Sequence, residues 1–106
     1  MNYESLFLRG MKLDENFIKA FAFANKHKKG KLYVIGGAVY KTIITQLHGI
    51  SIQVKDYDFL SDSFSEIQEK DLPYLWKTGK TSFGSPHIYC GNVLKVDLIS
   101  LEKYDP

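Results

Sequence analysis

The sequence predicts one domain of the α+β or α/β class, with a mixed β-sheet of about five strands, helices packed on one face and a carboxylate-lined cleft on the other. Three observations predict it. The first is a helical apolar stripe, Phe17, Ala20, Phe21 and Ala24, at i, i+3, i+4, i+7 spacing. The second is a pair of strand-like segments, KDYDFLS and VLKVDLIS, in which apolar and polar residues alternate. The third is composition: 106 residues, 44% hydrophobic and 25% charged, suffice for a single core. Residues 1–106 are therefore read as one domain.

Asp14 is a good N-cap for a helix over about Glu15 to Lys28, because a short carboxylate accepts from the first free amides. Lys26, Lys28 and Lys29 crowd the end of that helix, where the dipole favours cations, and Gly30 follows as a natural C′ residue. The cluster reads as a solvated helix end rather than a phosphate-backbone patch. Leu32 to Ile35 is a short buried strand, rich in aromatic and β-branched residues. Gly36 and Gly37 stop it. From Ala38 to Leu47 the apolar residues Ala38, Val39, Ile43, Ile44 and Leu47 return to helical spacing, and Gly49 closes the helix.

In KDYDFLS, Asp56 and Asp58 share one face of the strand while Tyr57 and Phe59 share the other. A polar stretch, Ser61 to Lys70, follows. Pro73, Gly79, Gly84 and Pro86 then punctuate short segments, and Gly91-Asn92 between HIYC and VLKVDLIS is a hairpin signal. In the last strand, Val93 to Ser100, the residues Leu94, Val96 and Leu98 point one way. Asp97 points the other way, with Lys95 and Ile99. An aspartate among such apolar neighbours needs a partner.

The formal charge of +2 is too small to argue for nucleic-acid binding by itself, although thirteen lysines against the single Arg9 permit an anionic substrate. Cys90 is the only cysteine, so no internal disulfide forms. The opening MNYESLFLRGMKL lacks the charged start and long apolar core of a signal peptide, and the expected compartment is the cytoplasm. No apolar stretch approaches the roughly 20 residues of a membrane span. His27, His48 and His87 lack metal-ligand spacing and read as solvated or structural. Cys90 reads as a small core residue, and Tyr74 and Trp76 as packing residues rather than base-stacking ones.

Two motifs carry chemistry. Gly36 and Gly37 lie where a strand turns into a helix, and the first amides of a helix, unpartnered and at the positive end of its dipole, bind phosphate. Lys41, one turn into that helix, is a candidate phosphate contact, and Lys80 a less constrained one. Asp56 and Asp58 would hold their Cα atoms about 6.5 to 7 Å apart on one strand face. Like charges so close are unfavourable unless a cation or hydrogen-bond donors hold them. Taken alone, a glycine pair signals a tight turn and Asp-x-Asp a loop.

Their order is more specific. A glycine pair opening a helix, an Asp-x-Asp strand and one more aspartate in a later strand, here Gly36-Gly37, Asp56-x-Asp58 and Asp97, resembles the polymerase-beta-type nucleotidyltransferase superfamily. Within it, YVIGGAV and KDYDFL most resemble the head domain of CCA-adding enzymes and bacterial poly(A) polymerases. The resemblance covers about Leu32 to Ser100. Tyr40-Lys41 stands where that pattern has an Arg-Asp pair, and eighteen residues separate Gly37 from Asp56, with GISIQVK as the extra segment.

The resemblance implies a minimal catalytic head that transfers a nucleoside monophosphate from a nucleoside triphosphate to a hydroxyl, releasing pyrophosphate. It implies Asp56, Asp58 and Asp97 as catalytic residues and as ligands of Mg²⁺ or Mn²⁺, with Gly36, Gly37 and Lys41 on the nucleotide. The acceptor is left open between an RNA end, a small molecule such as an aminoglycoside and a protein hydroxyl. A homo-oligomer or a helical partner chain could supply the substrate-binding part. The alternative is a head that keeps the fold and binds nucleotide without transferring it.

Overall fold

The computed structural model describes residues 2–50, 52–80, 86–91 and 94–104. In chain order they form α1 (Tyr3–Leu13), α2 (Glu15–His27), β1 (Lys28–Lys29), β2 (Tyr33–Ile35), α3 (Gly37–His48), β3 (Asp56–Ser61), β4 (Ser63–Phe64), β5 (Lys77–Lys80), β6 (Pro86–Cys90) and β7 (Leu94–Ser100). The fold is α+β. Asn92, Val93 and Gly84, and the side chain of Lys80, lie outside the described residues, and so does that part of the hairpin and punctuation reading. Cys90 pairs with Leu94 across the reversal, where Gly91 has φ +53°.

Asp14 joins the first two helices. Its backbone amide donates to Met11 O and ends α1, while its Oδ1 accepts from the amides of Asn16 and Phe17 at 3.0 and 3.2 Å and starts α2. The helix α1 is an addition to the sequence reading, which left that segment unassigned. It lies against α3, and the contact explains Gly10: the residue is buried, and a Cβ there would run into Thr42 Cγ2. Gly10→Ala is expected to lower stability by about 1–3 kcal/mol through overpacking. Thr42→Ser, which removes the obstructing methyl, should restore much of it, and urea unfolding of the single and double variants checks this.

The helix α2 ends at His27 rather than Lys28. Lys28 and Lys29 leave the helix to pair with Phe64 and Ser63, so Gly30 is not the C′ residue. A backbone pairing with residues far along the chain outcompetes one more helical residue. Gly30, at φ +99°, instead turns the chain against the side chain of Asp62. The helix α3 closes as its sequence predicts, with Gly49 left-handed at φ +68°.

The main sheet has the order β2-β3-β7-β6-β5. Only the central pair, β3 and β7, runs parallel, and the other neighbours are antiparallel. Both central strands alternate in burial: Tyr57, Phe59 and Ser61 on β3 and Leu94, Val96, Leu98 and Ser100 on β7 are buried, whereas the residues between them face the other side. Phe17, Ala20, Phe23 and Ala24 of α2 join that buried face in one core. Phe17 lies 4.8 Å from Tyr57 and 6.4 Å from Phe59 between ring centroids. Each such buried side chain stabilises the fold by about 1.5–3 kcal/mol. The opposite face, with Asp58, Asp97, Leu60 and Ile99, is half-buried.

Tyr57 is fully buried, and its hydroxyl donates to Asp14 Oδ2 at 2.8 Å, with Val54 O at 3.2 Å. Burial, followed by the Asp14 carboxylate, pushes the phenol far above its usual pKa. One carboxylate thus caps α2 and anchors β3. Tyr57→Phe is expected to cost about 1–2 kcal/mol by depriving Asp14 of a donor, and thermal melts at neutral pH would show it.

Trp76 is buried, 5.7 Å from Phe23, as its packing role requires, but Tyr74 is 89% exposed. The amide of Trp76 donates to Pro73 O in a tight turn with Leu75 at φ +71°, which turns the indole inward and leaves Tyr74 outside. Cys90 is partly buried against the core. His48 is exposed, and His27 is buried with Nδ1 3.0 Å from Ser65 Oγ. Burial lowers the pKa of His27, the Asp71 charge partly opposes this, and Lys26 adds to the lowering. No helix among the described residues is long and apolar enough to cross a membrane.

Candidate active site

Strand register assembles the site. Along one row of the half-buried face Ile35 pairs with Asp58, Asp58 with Asp97, Asp97 with His87 and His87 with Gly79. In the next row Asp56 pairs with Lys95, Lys95 with Tyr89 and Tyr89 with Lys77. Side-chain alternation puts both rows on the face away from α2. Asp56, Asp58 and Asp97 therefore share one side of the sheet, with Asp56 exposed and the other two half-buried.

The glycine pair closes one end of the first row. Gly36 follows β2 at φ +84°, ψ −166°, a conformation open essentially to glycine alone, and a Cβ there would sit 2.6 Å from Asp58 Oδ2. The turn and the carboxylate occupy each other's space. Gly36 is also the N-cap of α3, and no side chain caps that helix start. A Cβ on Gly37 would meet Tyr40 Cε1 at 3.6 Å and Lys41 Cε at 3.8 Å, so the Lys41 stem runs back along the start of α3.

Asp58 carries the electrostatic mark of this crowding. Its pKa is pushed up to about 6, first by burial, then by the charge of Asp97 and a hydrogen bond between the two carboxyl groups, and further by Asp56. Lys95 works in the opposite direction. The second carboxylate has a donor: His87 Nδ1 lies 2.7 Å from Asp97 Oδ1. With Asp97 ionised, a carboxylate that only accepts, the hydrogen bond requires the proton on Nδ1. The His87 and Asp97 side chains are 20% and 27% exposed, enough to be reached from solvent.

His87 was expected to be solvated or structural, and its ring lies against Asp97. Its signal was parity. Counting back from the reversal at Gly91, His87 and Tyr89 fall on the face of Lys95 and Asp97, but a single histidine without ligand spacing gives no reason to count. Lys95 was legible on the Asp97 face and was given no role.

Among the described residues no group of three or more His, Cys, Asp or Glu side chains, Asp56, Asp58 and Asp97 included, is placed to hold a metal ion together. Two adjacent half-buried carboxyl groups are hard oxygen donors, and the mutual repulsion that helps raise the Asp58 pKa is what a divalent cation would relieve. Mg²⁺ is ordinarily held by one or two carboxylates together with substrate phosphates, so the donors present fit it. A 760 Å³ cleft is lined in part by Asp56, His87, Tyr89 and Lys95, and neither Asp58 nor Asp97 lines it. A separate cleft of 570 Å³ between α1, α3 and residues 52–54 contains no member of the carboxylate row. Asp14, on its wall, is already committed to Tyr57 and to α2.

The chain matches no protein-family model, no curated protein and no solved structure. A functional reading therefore rests on the site's own geometry.

Proposed function

We propose that the chain is a metal-dependent nucleotidyltransferase head, which moves a nucleoside monophosphate from a nucleoside triphosphate to a hydroxyl acceptor and releases pyrophosphate. The observation that carries the reading is the position of Asp58, set between Asp97 on the neighbouring strand and the turn that opens an uncapped helix. Phosphate-binding amides and cation-binding carboxylates then belong to one site.

In this reading Gly36 and Gly37 let the triphosphate oxygens approach the first amides of α3. Lys41 adds a positive charge one turn further on. Asp58 and Asp97 hold Mg²⁺ or Mn²⁺, with Asp56 alongside. The cation, when bound, neutralises charge on the transferring phosphoryl group and lowers the pKa of the acceptor hydroxyl. His87 holds Asp97 in position by donating to Oδ1. Phosphoryl transfer needs no side-chain nucleophile, so Cys90, away from the row, has no step to perform.

The test is titration with each nucleoside triphosphate, with and without Mg²⁺, followed by a search for label transferred from the α-phosphate to candidate acceptors. Mg²⁺-dependent binding with transfer supports the enzyme. Binding without transfer to any acceptor supports a nucleotide-binding head that performs no catalysis. No Mg²⁺-dependent binding of any triphosphate refutes both.

A further inference from the structure

Among the described residues one buried side-chain polar atom has no hydrogen-bond partner, Nε2 of His27. The ring ends α2, is 6% exposed, and has its other nitrogen, Nδ1, 3.0 Å from Ser65 Oγ. Buried polar atoms are ordinarily paired, so this one asks for a reason.

The ring sits where a long irregular segment is fastened to α2. Ser65 N donates to His27 O at 2.8 Å, next to the pairing of Lys28 and Lys29 with Phe64 and Ser63. Phe23 packs on the His27 ring at 4.6 Å and on the Trp76 indole at 5.7 Å between centroids. From Ser65 to Trp76 the only regular element is a 3-10 turn, Glu69–Asp71, and Ile67 and Leu72 add partly buried contacts. Past Trp76 the chain enters β5, whose Lys77 and Gly79 pair with Tyr89 and His87.

Neutral, the imidazole meets Ser65 in either tautomer, with Nδ1 donating or accepting. Protonated, it donates from both nitrogens, and Nε2 then needs an acceptor that the described residues do not place there. The charges that bear on the ring are Asp71, which favours the proton, and Lys26 on its own helix, which opposes it. Lys28 turns its ammonium to Gly30 O, and Glu66, Glu69 and Lys70 are exposed. Asp71 Oδ2 accepts from the Gln68 amide at 3.1 Å. A cationic His27 therefore either draws Asp71 off that amide or leaves its pocket for water. Both undo a fastening of the segment.

We infer that His27 is an acid-sensitive latch, which as a neutral ring holds residues 65–76 on the end of α2 and on taking a second ring proton loosens them. The inference does not depend on nucleotidyl transfer. Burial keeps the folded-state pKa below the ordinary 6.5. The folded chain thus takes the proton less readily than the unfolded one. The hold is complete above about pH 6.5 and is lost as pH falls through the lower, folded-state value. Phe17, at the other end of α2, keeps its contacts with Tyr57 and Phe59.

Trp76 is the only tryptophan, so its emission reports the segment directly. The test follows that emission and the NMR shifts of the histidine rings on the full chain from about pH 8 to about pH 5, with amide exchange at both ends of the range. His27 is expected to titrate below 6.5, and the Trp76 emission to shift to the red with the same midpoint. Exchange in residues 65–76, corrected for the intrinsic effect of pH, should speed by about tenfold or more while Tyr57, Phe59, Val96 and Leu98 stay protected. His27→Gln, which can hydrogen-bond but cannot take the charge, should lose the step. Asp71→Asn, which removes the charge favouring the proton, should move both midpoints to lower pH, and it serves where His27→Gln fails to fold. Asp58, on the face away from α2, titrates at about 6, so the step must persist in Asp58→Asn.

The inference is overturned if Trp76 emission is unchanged once His27 has titrated, if His27 titrates at or above 6.5, or if His27→Gln keeps the step. It is overturned equally if the Asp71→Asn midpoints stay in place or if Asp58→Asn abolishes the step. Protection lost across the whole sheet at once also overturns it, because His27 then contributes to global stability alone.

Discussion

Replacing Asp58 with asparagine is expected to raise the stability of the ligand-free protein above pH 6 and to abolish Mg²⁺-dependent binding of nucleoside triphosphate. The sign follows from the direction of the pKa displacement. In the folded protein Asp58 titrates at about 6, above its ordinary value of 3.8. Between those values the folded state binds the extra proton, so its contribution is fully present below pH 4 and is lost as pH rises through 6. Asparagine donates to Asp97 at every pH, as protonated Asp58 does at low pH, and it carries no charge to repel Asp97 or Asp56.

A displacement of that size amounts to at most ~3 kcal/mol in a dry site. Solvent reaches Asp58, so the expected gain is about 1 kcal/mol, roughly 4–8 °C in melting temperature at pH 7.5 for a domain near this size. The gain should shrink to nothing by about pH 4. Melts of both proteins across pH 4 to 8, with and without Mg²⁺ and ATP, separate the two halves of the expectation. If the variant is less stable at every pH, Asp58 is a structural hydrogen-bond acceptor and the cation argument fails.

How much of this was legible in the sequence depended on whether the signal was local. The α2 stripe, the Asp14 cap, the alternation in β3 and β7 and the glycine close of α3 are patterns within ten residues, and each appears close to its expected place. Parity alone put Asp56 and Asp58 on one face and turned Asp97 away from the core. It could not say that β7 pairs with β3 in the register that sets Asp97 opposite Asp58, because register is fixed by tertiary packing and slips in steps of one residue. Strand order, and with it the two rows, came only from the structure.

The unassigned elements share one cause. The helix α1 has apolar residues at Tyr3, Leu6, Phe7 and Met11, but Gly10 interrupts them with the poorest ordinary helix former, placed there for the approach of α3. KTGK in β5 has no apolar face and only Thr78 as a β-former, as suits an edge strand that lysines protect from further pairing. The pairing of Lys28 and Lys29 with Phe64 and Ser63 joins residues far apart in the chain. In each case the segment takes its conformation from another element, and its own composition argues weakly or in the opposite direction.

The two glycines, read from sequence as one motif, should separate under substitution. Gly36→Ala is expected to be poorly tolerated. Its φ of +84° with ψ of −166° costs an alanine about 1–3 kcal/mol, and the new Cβ at 2.6 Å from Asp58 Oδ2 must displace that carboxylate. Gly37→Ala is expected to fold at least as well as the natural protein. Gly37 is not among the glycines with positive φ, the new methyl meets only Tyr40 and Lys41 at ordinary contact distance, and alanine favours a helix position over glycine by up to about 1 kcal/mol. If the open approach at Gly37 serves triphosphate oxygens, its methyl group should weaken ATP binding at least tenfold, about 1.4 kcal/mol, in a protein whose melting temperature has not fallen. Isothermal titration with ATP and Mg²⁺ on a Gly37→Ala protein of verified stability decides it. Binding unchanged would reduce the glycines to a tight turn and leave the acid pair at Asp58 and Asp97 without a phosphate to serve.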